Sequence, residues 1–234
     1  MGLAYSRFYY KDRLKAYVRE GTDDFNLLFM PREEKIHPHL LMNRGETFVD
    51  VGANVGYYSL KTALENNENE VKVIAIEAHP ETYLAFLKNI ECNNLEGIIA
   101  INKAVADKKQ ETMMYEMRTS DGIWMAGNSS IYVAFDGDAS VPIQCDTLDN
   151  LLAGHKVDVL KMDIEGAEVM ALAGASRVLS ELRKIVVEIH GENLATIQSI
   201  LKDRGFEITV IAYELNSYVI GTRTPSPELG IKAG

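Results

Sequence analysis

Short apolar runs alternate with amphipathic segments along most of this chain. The runs are rich in β-branched residues and predict strands at 47–51, 71–76, 98–105, 157–162 and 185–189. The segments between them carry apolar residues at helical spacing and predict helices over 57–66, 80–93, 167–182 and 194–204. This order requires crossover connections, which join parallel strands. The last two runs, 206–213 and 218–222, are close enough to form a hairpin, so we predict an α/β fold whose terminal strand is antiparallel.

Two regions depart from this alternation. Residues 1–45 form an N-terminal appendage, a candidate substrate cap, in which 10–19 reads as an amphipathic helix. Residues from about 111 to 143 contain short alternating runs separated by turn-rich sequence, which predicts an inserted hairpin or flap. The remaining chain, 46–234 including the flap, is predicted to be one domain.

Composition and charge narrow the function classes. The chain is 47% hydrophobic and 25% charged, which is ordinary for a globular protein. A net charge of −10 would repel phosphate backbones, so no nucleic-acid partner is expected. Two distant cysteines and the lack of a long apolar run favour a reduced compartment and no membrane span. We therefore expect a cytoplasmic protein.

The first candidate binding element is the segment DVGANVG, residues 50–56, between the first predicted strand and the helix after it. Open parallel sheets bind ligands at this end of their strands. Gly52 and Gly56 let the backbone turn tightly and approach a ligand, so we expect Gly52→Val to weaken ligand binding while the fold survives. An acid at this loop, Asp50, suits the cationic methionine-type ammonium of S-adenosylmethionine better than the pyrophosphate of NAD.

Glu77 ends the second predicted strand, beside the glycine loop in a parallel sheet. Its carboxylate can accept hydrogen bonds from both hydroxyls of a ribose. The alternative is structural, because a tight turn and a solvated acid at a strand end need no ligand. Since the glycines and the acid coincide at adjacent strand ends, we favour a cofactor site.

A second polar group follows the fourth predicted strand. Lys161, Asp163, Glu165 and Glu168 surround the strand end and the start of the next helix. Glu168 is explained by the helix dipole, which stabilises acids in a first helical turn. Asp163 and Glu165 are not, because the strand end opens into the ligand crevice. We therefore assign those two as candidate catalytic residues, whereas Lys161 fits a structural role equally well.

His190 is the candidate general base. It ends the strand VVEIH two residues after Glu188, so both side chains point to one face. A hydroxyl acceptor loses its proton during methyl transfer, and histidine is the side chain that ordinarily titrates near neutral pH. Asp163 and Glu165 are the next candidates, and proton loss to water also remains open.

Four segments together resemble the FkbM-type S-adenosylmethionine-dependent methyltransferases. They are DVGANVGYYSL, IEAHPETYLAFLKNIECNN, TLDNLLAGHKVDVLKMDIEGAEVMALAGA and VVEIH, which span about residues 46–190. The resemblance implies a Rossmann-like class I methyltransferase sheet of seven strands with helices on both faces. It also implies methyl transfer to hydroxyls of sugars, polyketides or related metabolites. The candidate cofactor-binding residues are Asp50, Gly52, Ala53, Asn54, Gly56, Glu77 and Ala78.

Some positions depart from the family pattern or carry no assignment. Ala78 stands where the family often has proline, and residues 101–104 lack the acid that holds adenine in many class I enzymes. His37 and His39 flank a proline and read as a loop, and no metal site is predicted. Five residues fit an acceptor lid and a core equally well: Met113, Met114, Met117, Trp124 and Met125.

The leading hypothesis is an O-methyltransferase that uses S-adenosylmethionine and a hydroxylated small-molecule acceptor, a sugar or a secondary metabolite. Its acceptor is expected to be selected by the appendage and the flap. The alternatives are an NAD-dependent oxidoreductase on a similar sheet and a non-catalytic partner subunit that binds the cofactor. The spacing GxNxG, in place of GxGxxG, opposes the oxidoreductase.

Overall fold

The computed structural model describes residues 7–11, 14–30, 34–66, 68–131, 139–213 and 216–223. Its strands are β1 (Arg7–Lys11), β2 (Leu14–Val18), β3 (Thr47–Val51), β4 (Lys72–Glu77), β5 (Ile98–Asn102), β6 (Ala104–Val105), β7 (Gln110–Glu116), β8 (Ala139–Asp146), β9 (Val159–Met162), β10 (Lys184–Ile189), β11 (Glu207–Ala212) and β12 (Ser217–Thr222). Its helices are α1 (Asp24–Phe29), α2 (Tyr57–Glu65), α3 (Pro80–Cys92), α4 (Leu148–Leu151), α5 (Glu168–Ala173), α6 (Ser176–Glu181) and α7 (Leu194–Asp203). Two short 3-10 helices, Glu34–Leu40 and Ala126–Asn128, complete the described elements.

The central sheet has seven strands in the order β5, β4, β3, β9, β10, β12, β11. All neighbours are parallel except at β12, which runs antiparallel to both β10 and β11. The terminal strand therefore lies inside the sheet, one position from its edge. The predicted mostly parallel sheet and the terminal hairpin are confirmed.

Helices cover both faces of this sheet. Successive residues of each central strand are therefore buried on opposite faces of it. Val49, Ile74 and Leu160 belong to the core beneath α4 to α7. On the other face, Phe48 and Val73 pack with the 3-10 helix Glu34–Leu40 and α2, while Ala75 packs with α2 and α3. Burial on both faces explains why these strands read as continuous apolar runs.

The N-terminal segment is a β-hairpin, so the predicted helix over 10–19 is wrong. β1 and β2 pair antiparallel, with Tyr9 opposite Ala16. In β2, Ala16 and Val18 are buried while Lys15 is exposed, an alternation with the period of a strand. The hairpin is fixed to α3 by Asn89, whose amide oxygen accepts from the backbone N–H of Tyr17 at 2.6 Å.

Two predicted elements are divided. The strand predicted at 98–105 breaks at Lys103, after which β6 joins a second sheet with β8 and β7. The helix predicted over 167–182 breaks at Gly174 and Ala175 into α5 and α6. The predicted flap contains β7 and the start of β8, and its run at 131–135 lies mostly outside the described residues.

The parallel strands bring several polar residues to one edge of the sheet. Gly52 follows β3, Glu77 ends β4, Asp163 follows β9 and His190 follows β10. These carboxyl ends are neighbours because the strands pair in register. Among the helices that the structure describes, none is long and apolar enough to cross a membrane.

Candidate active site

A cavity of about 330 Å³ opens at the carboxyl edge of β3, β4 and β9. Its floor consists of the glycine loop and the strand ends, including Gly52, Ala53, Asn54, Glu77, Ala78, Asp163 and Glu165. Its roof consists of α1, the residues on either side of α1 and the flap, including Asp23, Leu27, Met30, Met114, Met125 and Gly127. The predicted cofactor loop and the predicted catalytic acids therefore face one shared space.

The glycine at position 52 is required by the protein itself. Gly52 has φ of +78°, and a Cβ built there would overlap the backbone carbonyl of Asp163. The prediction that the fold survives Gly52→Val is therefore wrong, because the backbone carbonyl of Asp163 occupies the space of the new side chain. Weaker ligand binding in this variant stays a prediction. Gly52 still lines the cavity through its backbone.

Two other predicted cofactor residues, Gly56 and Asp50, lie outside the described lining of the cavity. A Cβ on Gly56 would overlap the ring of Phe86, so this glycine lets α3 pack against the loop. Asp50 is buried, and its Oδ2 accepts a hydrogen bond from the Ser59 hydroxyl at 2.7 Å. Burial raises the pKa of Asp50. Neither residue belongs to the described lining of the cavity.

Two backbone N–H groups, one from the glycine loop and one from the residue two positions after Glu77, hold the Glu77 carboxylate in place. Its Oε2 accepts from the N–H of Asn54 at 2.8 Å, and its Oε1 accepts from the N–H of His79 at 2.8 Å. Burial raises the pKa of this carboxyl to about 7, although the two backbone hydrogen bonds and the charge of Arg19 oppose the rise. Each carboxylate oxygen has a second lone pair and can accept from a ligand hydroxyl in the cavity.

The three predicted catalytic residues come together at the ends of β9 and β10. His190 Nε2 lies 3.4 Å from Glu165 Oε2 and 3.8 Å from Asp163 Oδ1. On the other side of the ring, Nδ1 lies 2.9 Å from Oε1 of the fully buried Glu168. Asp163 and Glu165 line the cavity, whereas His190 stands behind them, outside its described lining.

The electrostatics of this cluster differ from the sequence-based expectation for His190. Burial alone would lower its pKa, but hydrogen bonds to Glu165 and Glu168 and the charge of Asp163 raise the pKa to about 11. In the free protein the imidazole is therefore protonated at neutral pH. The Asp163 carboxyl has a lowered pKa, because Lys161 and His190 outweigh the effect of burial. Burial raises the pKa of Glu165.

Two segments that lie far apart in the sequence form the roof of the cavity: the residues around α1 and the flap. The N–H of Ala126 donates to Asp23 Oδ1 at 2.9 Å, and the N–H of Trp124 donates to the carbonyl of Gly21 at 2.8 Å. The guanidinium of Arg19 lies 4.6 Å from the centre of the Trp124 ring. Sequence reasoning missed Asp23, because no pattern marks a contact between residues about a hundred positions apart.

Some of the apolar side chains of the methionine-rich flap line the cavity, and others are exposed on the protein surface. Met114 and Met125 line the cavity, and Trp124 is buried beside Arg19 without lining it. Met113 and Met117 are exposed. The lid interpretation therefore fits two of the five candidate residues by position.

Known proteins resemble this chain in sequence and in fold. Residues 50–208 match the family described as the methyltransferase FkbM domain. Methyltransferase sdnD from Sordaria araneosa is 25% identical over 69% of this chain and 73% of its own length. Methyltransferase 1 from Beauveria bassiana is 24% identical over 81% of this chain and 88% of its own.

The structural similarities support the same architecture. A methyltransferase FkbM from Methylobacillus flagellatus aligns with a TM-score of 0.57 and 22% identity, over 79% of this chain and 45% of that longer chain. TYW2 from M. jannaschii, solved in complex with AdoMet, aligns with a TM-score of 0.51 and 14% identity, over 95% of this chain and 87% of that one. These similarities show a Rossmann-like methyltransferase fold. Because the family match spans more than half of the sequence, this chain belongs to the FkbM methyltransferase family.

Proposed function

We propose that this protein is an S-adenosylmethionine-dependent O-methyltransferase that acts on a hydroxyl of a small molecule or sugar. One observation carries the proposal: the glycine loop, Glu77, Asp163 and Glu165 line a single cavity. A methyl donor and a polar acceptor can therefore occupy adjacent positions. Family membership supports the transfer reaction.

The residues present fit S-adenosylmethionine. The carboxylate of Glu77 faces the cavity and can accept from ribose hydroxyls, while Ala53 and Asn54 offer backbone atoms beside it. Ala78 follows Glu77 at the same strand end and lines the cavity, and its small side chain suits a flat base. The buried Asp50 has an oxygen, Oδ1, without a hydrogen-bond partner in the described structure. The positive charge of a bound cofactor would favour ionisation of this carboxyl, whose pKa burial raises.

The chain supplies positioning and a path for the proton. When bound, S-adenosylmethionine supplies a methyl group that bonds to the acceptor oxygen as its carbon–sulfur bond breaks, leaving the electron pair on sulfur. Asp163 and Glu165 line the cavity where they can bind the acceptor hydroxyl and take up its proton. His190 contacts both acids from behind, and Glu168 fixes its ring. In this arrangement His190 is a positioning residue.

The roof is proposed to select the acceptor. The appendage contributes Leu27 and Met30 through α1 and the adjoining residue, and the flap contributes Met114 and Met125. These apolar side chains line the same cavity as the carboxylates, which suits an acceptor with a hydroxyl on an otherwise less polar body. The appendage thus acts as a cap on the methyltransferase domain that includes the flap.

Titration calorimetry distinguishes this proposal from its alternatives. We expect S-adenosylmethionine and S-adenosylhomocysteine to bind with one site per chain, and NAD to give no saturable heat. Saturable NAD binding without S-adenosylmethionine binding would favour an oxidoreductase. Cofactor binding with no methyl transfer to a broad set of acceptors would favour a non-catalytic partner subunit.

Cofactor affinity should depend on pH through Glu77. Ribose hydroxyls donate to the ionised carboxylate, and the pKa of Glu77 in the free protein is about 7. Its proton must leave on binding, so the dissociation constant for S-adenosylmethionine should rise about tenfold between pH 8 and pH 6 through this group. Glu77→Gln should weaken binding by about 1.5–3 kcal/mol and remove this part of the pH dependence.

The measurement is calorimetry of both proteins across this pH range. The difference between wild type and Glu77→Gln is the readout, because it cancels the titration of the cofactor itself. Parallel pH profiles for the two proteins, or equal affinities, would show that Glu77 does not bind the ribose.

A further inference from the structure

Three side chains from two strand ends converge on one point beside the cavity. The ring nitrogen Nε2 of His190 faces Glu165 Oε2 at 3.4 Å and Asp163 Oδ1 at 3.8 Å. One ligand atom from each of these residues lies within 4.8 Å of the others. Ligands of one Mg²⁺ ion at about 2.1 Å lie roughly 3–4.2 Å apart, so a small closure would complete three positions around a cation.

The surroundings of His190 provide an independent reason to expect a ligand here. Glu168 is fully buried, and its Oε1 contacts His190 Nδ1 at 2.9 Å. Its other oxygen, Oε2, is buried with no hydrogen-bond partner among the described residues. Histidines that bind metals characteristically donate their second ring N–H to a carboxylate, which orients the ring and makes the free nitrogen more basic. Glu168 holds His190 in this orientation, with Nε2 directed at Asp163 and Glu165.

The charges around this point are unequal. Asp163, Glu165 and Glu168 contact His190, and Glu188 Oε1 lies 3.9 Å from its Nε2. Lys161 Nζ contacts Asp163 Oδ2 at 3.2 Å. Four carboxylates therefore face two basic side chains. A divalent cation that displaced the proton on His190 Nε2 would add one net positive charge and reduce the repulsion.

We propose that Asp163, Glu165 and His190 bind a divalent cation of the Mg²⁺ or Mn²⁺ class, with Glu168 positioning the histidine. Two carboxylates favour these oxygen-preferring ions, and three protein ligands leave positions for water or substrate. Both acids line the cavity, so the open positions would face the acceptor. The role of the ion rests on the proposed function: it would bind the acceptor oxygen and lower the pKa of the hydroxyl, whose proton passes to the carboxylate oxygen of Asp163 or Glu165 that does not bind the ion.

Mn²⁺ titration followed by electron paramagnetic resonance tests the site directly, using the whole chain without cofactor or acceptor. We expect one Mn²⁺ per chain, bound at least tenfold more weakly in Glu165→Gln and Asp163→Asn. Glu168→Gln should weaken binding about tenfold, because it alters the residue that orients His190. Glu192→Gln changes an exposed acid near His190 and should leave the affinity unchanged.

A second measurement identifies the histidine. Electron spin echo modulation should show coupling of Mn²⁺ to a ring nitrogen in wild type, and this coupling should be absent in His190→Ala. Far-ultraviolet circular dichroism of each variant checks that it is folded, and Glu165→Gln keeps the side-chain shape if His190→Ala does not fold.

Two results would overturn the proposal: no saturable binding below about 1 mM Mn²⁺, or an affinity that Glu165→Gln leaves unchanged. Either would show that the protonated His190 is itself the counter-ion of the acids. Either result would leave the proposed methyl transfer standing, because Asp163 and Glu165 can take up the acceptor proton without a metal. Conversely, a failure to methylate any acceptor would leave the binding measurement valid.

Discussion

Gly52→Ala is expected to destabilise the protein by about 3–5 kcal/mol, through a close contact and a strained backbone together. The new Cβ would overlap the backbone carbonyl oxygen of Asp163. The backbone of Asp163 is fixed at this point, because the Asp163 N–H donates to the carbonyl of Val51 at 3.0 Å. The Cβ and the carbonyl oxygen belong to the backbone framework and cannot rotate away as the end of a flexible side chain would. Separation of β3 from β9 at this edge would also displace Asp163, so we expect cofactor binding and methyl transfer to be lost together.

Gly45→Ala is the matched control for this variant. Gly45 has a similar φ of +75°, but a Cβ there has nothing within 4 Å. Gly45→Ala should therefore lower the free energy of unfolding only by the cost of the left-handed backbone conformation, about 1–2 kcal/mol. Urea unfolding of both variants measures the difference. If Gly52→Ala is no less stable than Gly45→Ala, then the loop and β9 are not in the close contact described.

Glu165→Gln is expected to lower turnover by about 100-fold or more, with cofactor affinity nearly unchanged. Glu165 lines the cavity and contacts His190, but Glu77 at a different strand end is proposed to hold the cofactor. Removing a group that accepts a proton in the transition state typically costs 100-fold to 10,000-fold. The amide keeps the shape of the side chain, so a structural role predicts a much smaller loss.

Single-turnover rates across acceptors of graded acidity separate these explanations. Loss of a proton acceptor should slow acceptors of high pKa most, whereas a positional defect should slow all of them alike. His190→Ala should also reduce turnover, and the double variant should be little slower than either single one, because the residues act as a unit. Glu192→Gln is the control and should react at the wild-type rate. A wild-type rate for Glu165→Gln would contradict its assignment.

The sheet was predictable because strands that are buried on both faces are continuous apolar runs in the sequence. The apolar run at β3 matches its predicted bounds, and the crossover lengths require parallel neighbours. The N-terminal hairpin was not predictable in the same way. Its strands have five residues each, and Tyr10, Leu14, Tyr17 and Val18 have the i, i+4, i+7, i+8 spacing of a helix.

The site was predictable only where residues end neighbouring strands. Asp163, Glu165 and His190 were identified because parallel strand ends share an edge, and the structure brings them together. The contact of Glu168 with His190 was missed, since the helix dipole already accounts for an acid at that position. Asp23 was missed because it reaches the cavity through the packing of α1 on the flap, which no local pattern encodes.

We expect this protein to transfer the methyl group of S-adenosylmethionine to an acceptor oxygen. The decisive measurement is incubation of the protein with S-adenosylmethionine labelled at the methyl carbon and a panel of hydroxylated metabolites and sugars, followed by mass spectrometry and NMR. A labelled methyl ether should form on an acceptor hydroxyl with wild type, and about 100-fold more slowly with Glu165→Gln. Label on nitrogen or carbon, or no label from a protein that binds the cofactor, would contradict it.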